Sequence, residues 1–217
     1  MIIVYLPETN LEKLQQKLDK LCESFSEYLD TDIELRSLED RSSFGHYKDT
    51  NNNQLVFPTR CLDAHYLTGK KEIDLVYKSK FLEQLRQNQF SLAEFKKKRY
   101  KDARKQLKKL LSDPNNLNAA KIKYSVVRAI QYYVALEILT KFKKDNSLTV
   151  TDLKNTGTTV EARLNYLEKT ELTQLYRQCL TTSHFYAVAQ DRAIDVAKTN
   201  ESLIDVAQQI SDFLNNK

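Results

Sequence analysis

Between Ser91 and Leu111 the sequence reads SLAEFKKKRYKDARKQLKKLL, which sets nine cations against Glu94 and Asp102. Pairing at i,i+4 cannot neutralise so many like charges on one helix. The chemistry on offer is therefore neutralisation of an anion, either a phosphate backbone or an acidic protein surface. Lys97, Lys98, Lys101, Arg104, Lys105 and Lys108 are the residues expected to carry it. Further along, Arg128 stands among Tyr124, Tyr132 and Tyr133. Guanidinium and aromatic neighbours of this kind can hold bases by stacking, with Lys121 and Lys123 nearby to hold phosphates.

These groups need helices to position them. Leu92, Phe95, Ala103, Leu107, Leu110 and Leu111 recur at three-and-four spacing and predict an amphipathic helix. Ser91 with Glu94 forms a capping box, and Phe90 with Phe95 a hydrophobic staple, so the helix should start at Ser91. From about Asn118 to Phe142 a second stretch is apolar on several sides, through Ile122, Val126, Val127, Ile130, Val134, Leu136 and Ile138. That pattern predicts the central buried helix of a bundle. Shorter helices are expected near 159–168, headed by a Thr158 and Glu161 box, and near 171–180, 184–198 and 202–214.

The amino-terminal part reads differently. Ile2–Leu6, Asp32–Leu38, Gln54–Phe57 and Glu72–Lys78 have the apolar runs or alternation of strands. Thr9 and Glu12 head a helix running to about Leu29, and a strand, helix, strand unit of this length implies a parallel pair. The expected fold is α+β and mostly α, with a small α/β layer over residues 1–88 packed on a helical bundle over 89–217.

Composition narrows the classes. Only three glycines and three prolines occur, too few for a turn-rich β-sandwich. The net charge of +5 is unevenly spread, since residues 91–144 are strongly basic and the rest is acidic. Cys22, Cys61 and Cys179 are far apart and never in a CxxC pair, which fits a reducing, cytoplasmic setting without disulfides. Cys61, Asp63 and His65 lack a second matched pair of ligands, so no metal or cofactor is expected. Neither a signal peptide nor a membrane span is expected. The polar segment 39–53, with Arg41, His46, Lys48 and Asp49, reads as a fifteen-residue loop.

Two family resemblances bear on chemistry. The basic helix, the long apolar helix AAKIKYSVVRAIQYYVALEIL, and Arg177 with His184 in RQCLTTSH together resemble a HEPN-type helical domain over residues 91–217. The resemblance implies metal-independent RNA cleavage, with Arg177 binding the phosphate and His184 activating or protonating a ribose oxygen, often across a homodimer interface. The family's motif is an Arg, four to six residues, then a His; Arg177 with His184 matches at the longest spacing, and Arg41 with His46 and Arg60 with His65 match at the shortest. Asp74 followed by Glu94 and Lys96 resembles a PD-(D/E)xK nuclease, whose Mg²⁺ site needs the E-x-K pair on a strand. The cap at Ser91 places Glu94 in a helix instead.

The leading expectation is a nucleic-acid-binding subunit or accessory protein, with RNA favoured, acting as a homodimer or within a larger complex. A HEPN-like endoribonuclease and a scaffold docking an acidic protein are the alternatives.

Overall fold

Polar caps set several of the helix starts, though not always at the expected residue. The structure, a computed structural model, describes residues 2–5, 10–25, 34–37, 46–48, 54–56, 59–64, 71–87, 89, 91–113, 119–190 and 196–216. It divides into two compact units, Met1–Gln84 and Leu85–Lys217.

The first unit holds β1 (Ile2–Tyr5), α1 (Leu11–Phe25), β2 (Glu34–Ser37), β3 (His46–Lys48), β4 (Gln54–Val56), α2 (Thr59–Asp63) and most of α3 (Lys71–Arg86). Asn10 caps α1, its Oδ1 accepting from the Lys13 N–H at 3.1 Å. This cap lies one residue past the expected Thr9, which itself lies outside the described residues. β1 and β2 pair in parallel, Ile2 opposite Glu34. β3 and β4 pair antiparallel, His46 opposite Val56, so the expected fifteen-residue loop is interrupted. Arg41, Asp49 and His65 lie outside the described residues.

The α+β expectation is corrected here to an all-helical fold. The extended segments are three or four residues long, form two separate pairs and build no layer. The segment Glu72–Lys78, expected as a strand, lies inside α3. Its buried residues Tyr77, Lys78, Phe81, Leu82 and Leu85 follow helical spacing, whereas Leu75, which a strand would bury beside Tyr77, is 47% exposed. Glu72 and Asp74 in the first turn suit the positive end of the helix dipole. Buried Lys78 is satisfied by Asp74 at 3.2 Å and by the Ala64 carbonyl at 2.9 Å.

The second unit contains α4 (Leu92–Phe95), a π-helical segment (Lys96–Tyr100) and α5 (Lys101–Leu111) as one continuous run. It continues with α6 (Ala119–Lys144), α7 (Val150–Asn155), α8 (Val160–Tyr166), α9 (Thr170–Gln190) and α10 (Val196–Asn215). As expected, α6 is the central helix, packed against α4, the π segment, α5, α8, α9 and α10. It spans about 39 Å. Arg86 closes its carboxy-terminal end by donating to the carbonyls of Phe142, Asp145 and Leu148. A cation there also complements the helix dipole.

Ser91 caps α4 as expected, with its Oγ accepting from the Glu94 N–H at 3.2 Å. Phe90, the other half of the expected staple, lies outside the described residues. A full capping box forms at Thr149 and Asp152 ahead of α7. Thr159, not Thr158, caps α8 through the Ala162 N–H, and Glu161 is drawn to Arg177 instead. The turn before α8 needs Gly157: its φ is +76°, and a Cβ there would stand 2.5 Å from Ala162 Cβ. Where two helices were expected on either side of residues 181–183, α9 runs unbroken. The Thr173 and Ser183 hydroxyls bond carbonyls four residues back, so polar residues inside the helix are satisfied without breaking it.

Candidate nucleic-acid interface

The direction of the basic helix follows from Arg86. That residue donates to the Phe142 carbonyl in the last turn of α6 and to the Leu148 carbonyl just beyond it, and Leu92 follows it by six residues. α4 therefore begins within about 20 Å of that end, and because α5 ends at Leu111, α6 begins at Ala119 and the two pack together, α5 runs antiparallel to α6. Ring contacts join the two helices: Phe95 meets Tyr132 edge to face at 5.7 Å, and Tyr100 meets Tyr133 at 6.1 Å.

The π segment sets the buried face. In a regular helix, five residues turn Tyr100 roughly 140° away from Phe95. Here the Lys101 N–H bonds the Lys96 carbonyl, five residues back, and this wider turn absorbs the extra residue. Phe95, Tyr100, Ala103 and Leu107 all become buried. Tyr100 donates to the Leu214 carbonyl at 3.3 Å, which ties the run to α10. Tyr133 packs against Phe213 as well, and burial, helped by the Glu137 carboxylate, pushes its phenol up to about 12.

The expected phosphate ligands do not all face outward. Lys97, Lys98, Lys101, Lys105 and Lys108 are exposed. Lys98 pairs with Glu94, one turn earlier. Arg104 turns inward: it donates to Asn215 Oδ1 and lies 5.3 Å from the centre of the Tyr100 ring, and its Nε is buried without a hydrogen-bond partner. That guanidinium fastens α5 to the end of α10. On α6, Lys121 and Tyr124 are exposed and Arg128 is half-buried, its guanidinium 4.2 Å from the Tyr124 ring centre.

Arg177 and His184 lie on α9 itself, not on either side of a helix break. Seven residues put them on one face but about 10 Å apart along the axis. Arg177 is held by Glu161: its Nε lies 2.9 Å from Oε1, and Nη2 meets the same oxygen. The same contact holds the Glu161 carboxyl below its usual range. His184 Nε2 lies 3.0 Å from Lys123 Nζ, so that nitrogen accepts from the ammonium. Beside them, burial pushes the Cys179 thiol up to about 11, which makes it a packing group and a poor nucleophile.

The PD-(D/E)xK arrangement is absent from these residues. Asp74 is helical and pairs with Lys78, and Glu94 is helical and pairs with Lys98, so neither stands on the strand that such a metal site needs. Cys61 is buried and its Sγ accepts from the Tyr77 hydroxyl at 3.4 Å. Among the described residues no three His, Cys, Asp or Glu side chains gather to hold a metal, and no helix is long and apolar enough to cross a membrane.

Sequence reasoning missed Tyr100 as a core residue and Arg86 as the cap of α6. The five-residue interval from Phe95 to Tyr100 is the only trace of the first, and nothing local marks the second. No protein-family model, curated protein or solved structure matches the chain.

Proposed function

We propose that the chain is a nucleic-acid-binding subunit, with RNA favoured, in which the outer side of the π segment and α5 tracks a phosphate backbone. One observation carries this reading. Lys97, Lys101, Lys105 and Lys108 are exposed cations without an ion pair or hydrogen bond among the described residues, on a helix whose other side is locked by Phe95, Tyr100, Ala103 and Leu107. Lysines that solvate a surface do not need such a firm base, whereas a backbone contact gains from cations held in register. Lys98 adds charge through its exposed pair with Glu94, which solvent weakens.

The reading is tested by anisotropy of labelled single-stranded RNA across a salt series. Four lysines neutralising four phosphates predict a slope of about −3 for log affinity against log salt. A slope near zero would leave the basic face without a backbone to hold, and an acidic protein would become the better partner.

Binding without cleavage is the expected outcome in the same assay. Arg177 is engaged by Glu161, and two helical turns separate it from His184. RNA cleavage that persists in EDTA and disappears in His184→Ala would overturn this expectation and assign the HEPN-like endoribonuclease activity instead.

A further inference from the structure

Three tyrosines near Arg128 could have served a ligand, and the fold separates them. Tyr133 is buried against Tyr100 and Phe213, and Tyr132 is half-buried with its ring against Phe95. Tyr124 alone of the three is exposed, at 60%. Its ring is therefore within reach of a ligand, which the other two are not. Arg128 lies over the ring at 4.2 Å from its centre, and the residue as a whole stays 60% exposed.

The surroundings restrict what can lie against the exposed ring. Lys121, Lys123 and Arg128 stand within about one helical turn of Tyr124, so a cationic ligand is repelled. A flat, neutral ring carrying an adjacent anion suits both features, because it stacks on the phenol while the anion meets the guanidinium or an ammonium. A nucleotide has that composition. Position adds a further argument. Lys108 lies thirteen residues beyond Phe95 and eight beyond Tyr100 on α5, which runs antiparallel to α6, so the two ring contacts bring it level with about residues 119–125, the stretch that holds Tyr124. A backbone followed along α5 therefore arrives at the end of the bundle where Tyr124 stands.

We infer that Tyr124, backed by Arg128, is a base-stacking subsite that makes the chain prefer unpaired over duplex nucleic acid. The inference rests on the phosphate-binding role of α5. In a duplex the base faces are already stacked on each other and cannot reach Tyr124, whereas in a single strand each base has a face to offer.

The test measures Tyr124→Ala and Tyr124→Phe for binding to an unstructured single-stranded RNA of roughly a dozen nucleotides and to a duplex RNA of equal length. Tyr124→Ala should weaken single-strand binding by about fivefold or more and duplex binding by less than about twofold, while Tyr124→Phe stays within about twofold of the parent on both. Equal losses on both RNAs, or no loss on the single strand, would overturn the subsite. A parent protein that binds neither RNA would overturn the phosphate-binding reading and the subsite with it. If charge reversal on α5 abolishes binding but Tyr124→Ala changes nothing, the subsite fails and the backbone reading stands. Circular dichroism should show all variants folded, since the side chain lies outside the core.

Discussion

Charge reversal of Lys101, Lys105 and Lys108 to glutamate is expected to remove RNA binding while leaving the helical unit folded. All three are exposed on α5, and the residues that hold α5 in place, Tyr100, Ala103 and Leu107, are untouched. Each exchange removes a phosphate contact and adds a repulsive carboxylate. If each reversal costs about 1 kcal/mol or more of binding, the three together weaken affinity by about a hundredfold or more. Stability should change far less. Surface substitutions usually lie within about 0.5 kcal/mol. The carboxylate introduced by Lys108→Glu, in the last turn, opposes the helix dipole, whereas the one introduced by Lys105→Glu gains a partner in Lys109 one turn later.

A control separates a local patch from bulk charge. Reversing Lys13 and Lys17, which are exposed on α1, alters net charge without touching the basic helix. If a built face and not net charge accounts for binding, this variant should bind almost as the parent does. Equal losses in the two variants would mean that net charge, not a built face, accounts for binding. Undiminished affinity in the α5 triple variant would end the nucleic-acid reading.

The second large effect concerns the π turn and is read as stability. Deleting Lys97 should be tolerated within about 1 kcal/mol. The deletion converts the five-residue turn into an ordinary one, and Tyr100 then follows Phe95 by four residues and keeps the same face. Deleting Lys105 should be severe. Every residue after it rotates by about 100°, which carries Leu107 out of its buried position and brings charged residues toward α6 and α10. Loss of a buried leucine alone costs about 2–5 kcal/mol, so the urea midpoint should fall sharply or folding should fail. Comparable destabilisation by both deletions would refute the claim that the π turn absorbs one extra residue.

Local chemistry made much of the helical unit legible. The cap at Ser91, the amphipathic run after it and the apolar helix behind it depend on residues three or four apart, so the sequence alone determined that a strongly basic helix would stand against a long buried one. It also determined the kind of partner such a face could attract. Other features depend on neighbours distant in the chain. Alternation over Glu72–Lys78 suits a strand as well as a short stretch of helix, and only the burial of Phe81, Leu82 and Leu85 decides for the helix. Thr181, Thr182 and Ser183 look like a break until carbonyls four residues back are available to take a hydroxyl, as Cys179 does for Ser183. Arg104 is one more cation in the sequence, and it becomes a fastening because the end of α10 lies beside it. The three tyrosines around Arg128 are equivalent as residues, and tertiary packing alone left Tyr124 outside, because which side of α6 is covered depends on where α5, α9 and α10 lie against it.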